Sequence, residues 1–146
     1  MSKTRQQELI LQGKIIPALQ SQGWVALKTS DRFKAGKLDL RMGHPRWGQM
    51  DVELKYSDGD FRELADTGLS RLQQIKMREM NEHGMPAVAL VYSSPLRLFF
   101  VTSLLRDKLP PPSRCVRRGP VDASIIDGKS LFKAAMEYLN DLGYNF

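Results

Sequence analysis

The stretch from Gln49 to Tyr56 alternates without a break: Met50, Val52, Leu54 and Tyr56 fall on one side, Asp51, Glu53 and Lys55 on the other. An extended strand, with its two-residue period, sorts residues in this way. A shorter alternating run, Leu38 to Met42, precedes it, and the intervening Gly43-His44-Pro45-Arg46-Trp47-Gly48 is rich in turn formers. Together they predict a β-hairpin. Leu38, Leu40, Val52 and Leu54 are expected on its core-facing side, with Asp39 sharing the other face with Glu53 and Lys55.

The flanking segments predict what covers the hairpin. Leu11, Ile15 and Leu19 recur at helical spacing within Gln6 to Gln22, with Gly23 as an end signal and Pro17 predicting a kink or an early stop. Trp24 to Lys28 reads as a short strand and Thr29 to Lys37 as a polar loop. Ser57-Asp58-Gly59-Asp60 breaks the long alternating run. A second helix is expected over Ser70 to His83, with Leu72, Ile75, Met77 and Met80 as its apolar residues and Gly84 as its stop. Ala87 to Tyr92 is continuously apolar, as in a strand covered on both faces. Leu96 to Val101 reads as a further strand. Arg106 to Arg118 reads as a long basic loop containing Pro110-Pro111-Pro112, and Ser130 to Leu142 as a helix that turns Leu131, Ala134, Ala135, Tyr138 and Leu139 inward. This order predicts an α/β (α+β) fold, a mixed sheet with helices packed against it. At 146 residues the chain suits one domain. Its core is expected over about residues 6–101, with the basic loop 106–128 and the helix 129–142 as an extension.

Composition narrows the chemistry. With one cysteine, Cys115, no internal disulfide or cysteine-based zinc site forms, and two histidines, His44 and His83, supply little for histidine-based metal catalysis. No apolar run approaches the roughly 20 residues that span a bilayer, and the polar N-terminal sequence lacks a signal-peptide core, so a cytoplasmic protein is expected. The 22 basic and 16 acidic side chains leave a formal charge of +6, an excess that attracts polyanions, nucleic acid among them.

Asp39, Glu53 and Lys55, gathered by the hairpin, suit phosphodiester hydrolysis. Mg²⁺ takes oxygen ligands, keeps several waters and needs one or two carboxylates. It offsets phosphate charge and acidifies bound water. A lysine beside it positions the water or stabilises charge on the phosphoryl oxygens.

Gly36-Lys37-Leu38-Asp39, Asp51-Val52-Glu53-Leu54-Lys55 and Leu69-Ser70-Arg71-Leu72-Gln73, with Gly84 before an apolar strand, resemble the PD-(D/E)XK nuclease superfamily. The closest resemblance is to its VRR-NUC branch, which includes small stand-alone bacteriophage domains, and it covers roughly Gln7 to Tyr92. Leu38 departs from the proline of the motif's name. The resemblance implies a restriction-endonuclease-like core and a metal-dependent DNA endonuclease that prefers branched or flapped substrates and pairs as a homodimer. It implies Asp39 and Glu53 as ligands of Mg²⁺ or Mn²⁺, with the main-chain carbonyl of Leu54 as a further ligand. Lys55 would be the catalytic lysine, Gln73 the supporting glutamine, and Glu8 an acid on the first helix that helps with a second metal.

Each assignment has a structural rival. Asp51, Glu53 and Lys55 also fit the solvated face of an amphipathic strand. Ser70-Arg71-Leu72-Gln73 fits a capping box, in which Gln73 reaches back to the helix cap, and Gln74 is the alternative one residue on. Glu8 also fits an exposed first-turn glutamate. Trp47 beside Arg46 in the turn, and Lys108, Arg114, Arg117 and Arg118 in the basic loop, are the candidate nucleic-acid contacts, the loop as a phosphate-tracking arm stiffened by its prolines. The alternatives are a non-catalytic nucleic-acid-binding module of the same fold and a domain that binds an acidic protein.

Overall fold

The predicted hairpin forms, and the sheet grows outward from it. The computed structural model describes residues 2–29, 38–59, 65–108 and 110–146. Gly36, Lys37 and most of the polar loop expected over Thr29 to Lys37 lie outside them, as does Asp60. Strand β1 (Val25–Lys28) pairs antiparallel with β2 (Leu40–His44), and β2 with β3 (Gly48–Ser57), Leu40 opposite Val52 and Met42 opposite Met50. The chain then passes through a short strand β4 (Ala65–Asp66) and helix α2 (Arg71–Glu82) to β5 (Ala87–Ser93), which lies parallel to β3 with Val52 opposite Val88. Strands β6 (Leu98–Thr102) and β8 (Cys115–Arg118) complete a six-stranded mixed sheet in the order β1-β2-β3-β5-β6-β8, and β7 (Arg106–Asp107) pairs with β4 apart from it. The predicted mixed sheet with flanking helices is borne out.

Helices cover both faces. Helix α1 (Lys3–Ser21) and the last helix, α3 (Gly128–Asp141), pack over Leu40, Met42, Met50, Val52, Leu54, Val88 and Leu90, and Leu131, Ala134, Ala135, Tyr138 and Leu139 are buried as expected. Helix α2 covers the opposite face through Met77 and Met80, against Ala87, Ala89, Val91 and Phe100. Strand β5 is buried at every residue because it has a layer on each side. Each large aliphatic side chain so enclosed stabilises the fold by about 1.5–3 kcal/mol before ordering entropy is charged.

Several local expectations give way. Helix α1 starts three residues early, because Ser2 caps it by accepting a hydrogen bond from Arg5 N at 3.1 Å. It also runs through Pro17. The carbonyl that Pro17 leaves without a partner belongs to Gly13, where even an added Cβ would meet nothing within 4 Å. Gly13 is exposed, so its carbonyl is open to solvent and the helix continues. Gly23, at φ +89°, ends it in the left-handed turn that favours glycine. The apolar residues of α2 divide: Met77 and Met80 are buried, while Leu72 and Ile75 are exposed. The inward side is set by Gln73, Met77 and Met80 at i, i+4 and i+7, with a polar residue in the first place. Leu38 joins the α2-side cluster instead of the hairpin's core face, because the chain enters β2 only at Leu40 and bends at Asp39.

The basic segment is not a free arm. It holds β7, a 3₁₀ turn at Pro112–Arg114, and β8, which returns to the sheet with Arg117 opposite Phe99. Arg114 points inward. It donates to Val101 O at 3.1 and 2.8 Å, pairs with the buried Asp107, and lies 4.5 Å from the Tyr138 ring centre.

Candidate active site

The site forms where β2 leaves β3. The ladder between them ends at Leu40 opposite Val52, so the next β3 groups on that edge, the N–H groups of Leu54 and Tyr56, lack strand partners there. Buried N–H groups need acceptors, and two carboxylates supply them. Asp39 Oδ2 accepts from Leu54 N at 2.8 Å, and Glu8 Oε1 from Tyr56 N at 3.5 Å. A residue of an extended strand turns its N–H and C=O to the same edge, so the Leu54 carbonyl opens beside Asp39.

Glu53 and Lys55 project from β3 next to this gap. Asp39 and Glu53 are 4% and 3% exposed, which rules out a solvated strand face. Gln73 reaches both the helix cap and Glu53. Its Oε1 accepts from Ser70 N at 3.0 Å, completing the capping box, while its Nε2 donates to Glu53 Oε1 at 2.9 Å. Glu53 Oε2 is buried without a hydrogen-bond partner. Lys55 Nζ lies 3.9 Å from Glu53 Oε1 and 4.0 Å from Glu8 Oε1, bridging them. Gln74, the alternative to Gln73, instead accepts from Leu105 N at 3.0 Å.

Burial pushes the Asp39 carboxyl above its ordinary range, partly offset by the bond from Leu54 N, by a hydrogen bond with the Glu53 carboxyl and by the charges of Lys55 and Arg5. Glu53 is pushed up to about 8, first by burial and then by the charge of Asp39, with Lys55 opposing. At neutral pH the Asp39–Glu53 pair therefore holds a proton between its two carboxyls. An orphaned carboxylate oxygen, a second carboxylate beside it and a nearby carbonyl fit a hard divalent cation that completes its shell with water. Among the described residues no three His, Cys, Asp or Glu side chains gather around one point. Lys55 Nζ stands between Glu8 and the pair, 4.0 Å from Glu8 Oε1 and 3.9 Å from Glu53 Oε1.

The other candidates divide. Arg46 and Trp47 are exposed in the β2–β3 turn, but the Trp47 ring already faces Arg46 Cζ at 5.4 Å and Lys129 Nζ at 5.1 Å. Lys108 and Arg118 are exposed, Arg117 donates to Pro120 O at 2.7 Å, and Arg114 is spent on the core. His44 lies 5.1 Å from Trp24 with its ring tilted against it, and His83 meets Glu79 O at 2.7 Å at the end of α2. Sequence reasoning missed Arg5, whose Nη1 lies 3.6 Å from Glu8 Oε2. The signal was present: it stands three residues before Glu8, on one helical side. It also missed Gln12, buried one turn after Glu8 with Nε2 unpartnered.

No protein-family model matches the chain, and no curated protein matches it. Among solved structures, it is similar to Hjc, a Holliday junction resolvase from the archaeal hyperthermophile Archaeoglobus fulgidus. The TM-score is 0.48 at 13% identity, over 64% of this chain and 74% of that one.

Proposed function

We propose that this chain is a metal-dependent nuclease of the PD-(D/E)XK type that hydrolyses phosphodiester bonds of DNA, as an endonuclease on branched or flapped structures. One observation carries the reading: a buried carboxylate pair, Asp39 and Glu53, with an orphaned oxygen beside Lys55. Keeping two carboxyls out of water next to each other costs stability. A ligand that repays that cost is the natural reason to retain them. The motif resemblance supplies the substrate class, and the net charge of +6 agrees with it.

In this reading Asp39, Glu53 and the Leu54 carbonyl hold Mg²⁺ or Mn²⁺. Bound there, the ion supplies charge neutralisation and a more acidic water. Gln73 fixes Glu53 by one oxygen and leaves the other free for the ion. Glu8 holds the Lys55 ammonium at the edge of the pair, where it orients the attacking water or neutralises a phosphoryl oxygen. Exposed Arg46, Lys108 and Arg118 add long-range attraction to the strand. A homodimer belongs to the proposal. Its support is edge strand β1, where Val25 and Leu27 are 59% and 56% exposed.

The test is cleavage of labelled duplex, single-stranded, flap and four-way-junction DNA with Mg²⁺, Mn²⁺ or EDTA, beside Lys55→Ala, with sedimentation giving the oligomeric state. Cutting that needs metal and disappears in the variant is the expected result. Intact binding with no cutting of any substrate overturns the enzyme in favour of a non-catalytic binding module.

A further inference from the structure

One cation near the carboxylates has a use that the nuclease reading leaves open. Arg5 sits on the first turn of α1 with its side chain 49% exposed, and its nearest charged partner, Glu8 Oε2, is 3.6 Å away. At that length the contact is an ion pair without a hydrogen bond, and none of the hydrogen bonds among the described residues uses the guanidinium. Two other arginines differ. Arg41 spends its fork on Asp51 at 2.7 and 3.2 Å, and Arg114 spends its own on Val101 and Asp107. The charge of Arg5 also reaches Asp39, where it favours the ionised carboxylate.

We propose that Arg5 is a substrate ligand: its guanidinium leaves Glu8 and takes the non-bridging oxygens of a phosphate in the strand drawn to Asp39 and Glu53. The inference rests on the nuclease reading and adds to it a phosphate-binding residue on the first helix. Three features support it. A guanidinium fork matches two phosphate oxygens, which a point-like ammonium does not. An ion pair this exposed is weakly held, so it exchanges readily for a phosphate. Charge balance gives the third. Glu8, Asp39 and Glu53, all ionised, outnumber Lys55 and Arg5 by one, so a divalent cation leaves the cluster singly positive, the match for a phosphodiester. Without Arg5 the metal-loaded cluster is less positive by one charge and holds a phosphate less tightly.

The experiment uses the full chain in a Lys55→Ala background, so that DNA is bound but not cut. Fluorescence anisotropy with a labelled flap DNA in Mg²⁺ compares this protein with Arg5→Ala and Arg5→Lys versions of it. In parallel, Mn²⁺ titration followed by thermal stability reads the metal site without any turnover. Loss of the fork is expected to weaken DNA binding about ten- to a hundredfold, with partial recovery for Arg5→Lys. The log–log salt slope should fall by about one ion. Stabilisation by Mn²⁺ should be kept or increased, since a repelling positive charge has gone. DNA affinity within about twofold of the parent overturns the proposal, and so does loss of Mn²⁺ stabilisation, which would make Arg5 part of the metal site. Failure of the wild-type protein to cut any DNA sinks the nuclease reading instead, and the anisotropy comparison still decides whether Arg5 binds phosphate.

Discussion

Replacing Glu53 with glutamine is expected to stabilise the metal-free protein while destroying its metal response. In the folded chain the Glu53 carboxyl is held at about 8, against an ordinary 4.5. The sign follows from proton counting. Above about pH 4.5 the unfolded chain has released the proton that the folded chain keeps until about pH 8, so folding takes up a proton across that window and loses stability as pH rises. Each pH unit costs up to about 1.4 kcal/mol, so a few kcal/mol separate the ends of the window. That is a large share of the 5–15 kcal/mol typical of a domain. Glutamine keeps an oxygen for Gln73 Nε2, carries no titrating proton, and relieves Asp39 of a neighbouring charge. Urea unfolding of both proteins in EDTA, from about pH 5 to 9, reads the effect. The wild type should lose stability relative to Glu53→Gln as pH rises, and at the alkaline end the variant should be the more stable. Mg²⁺ or Mn²⁺ should then restore the wild type by selective binding to its folded state, with a much smaller effect on the variant. A stability difference that stays flat across the window, or runs the other way, would refute the claim that burial and Asp39 raise this carboxyl.

The two functions of Gln73 separate by mutation. Ser70→Ala removes the cap alone and should cost about 1 kcal/mol with cleavage retained, whereas Gln73→Ala should cost a similar amount and also slow cleavage by tenfold or more, roughly the loss of one charge-assisted hydrogen bond. Equal cleavage rates for the two variants, measured beside their urea midpoints, would reduce Gln73 to a cap. Arg114→Ala should destabilise the fold by about 3–5 kcal/mol, because it leaves Asp107 buried without its partner, while Arg118→Ala should leave the urea midpoint alone and weaken DNA binding at low salt.

The hairpin, both long helices and the fully buried strand β5 were legible because their signals are local: a period of two, a period of 3.6, or an unbroken apolar run. The site was legible as a set of residues but not as an arrangement. Alternation predicts Asp39 on the same face as Glu53, yet it stands before β2 begins and reaches the strand edge through Leu54 N. Likewise, nothing local marks Arg114 as buried. Its partners, Val101, Asp107 and Tyr138, come together only when β7, the 3₁₀ turn and α3 are in place. On α2 the apolar residues alone do not mark the inward side. Leu72 and Ile75 stay exposed, and Gln73 takes an inward position because Glu53 is there to accept its amide.

These departures share one cause. Where β2 ends early, β3 keeps buried backbone donors that its neighbour no longer satisfies, and side-chain carboxylates fill the place of a strand. An apolar chain could have continued the ladder and avoided the cost of burying Asp39, Glu8 and Glu53. The interruption instead concentrates acceptors, a lysine and an orphaned oxygen within a few ångströms of one strand edge. Closing that gap in the ladder would stabilise the sheet and remove the proposed cation site together, so the local loss of regular structure and the buried carboxylate cluster are consequences of the same two residues, Leu38 and Asp39, standing outside the strand.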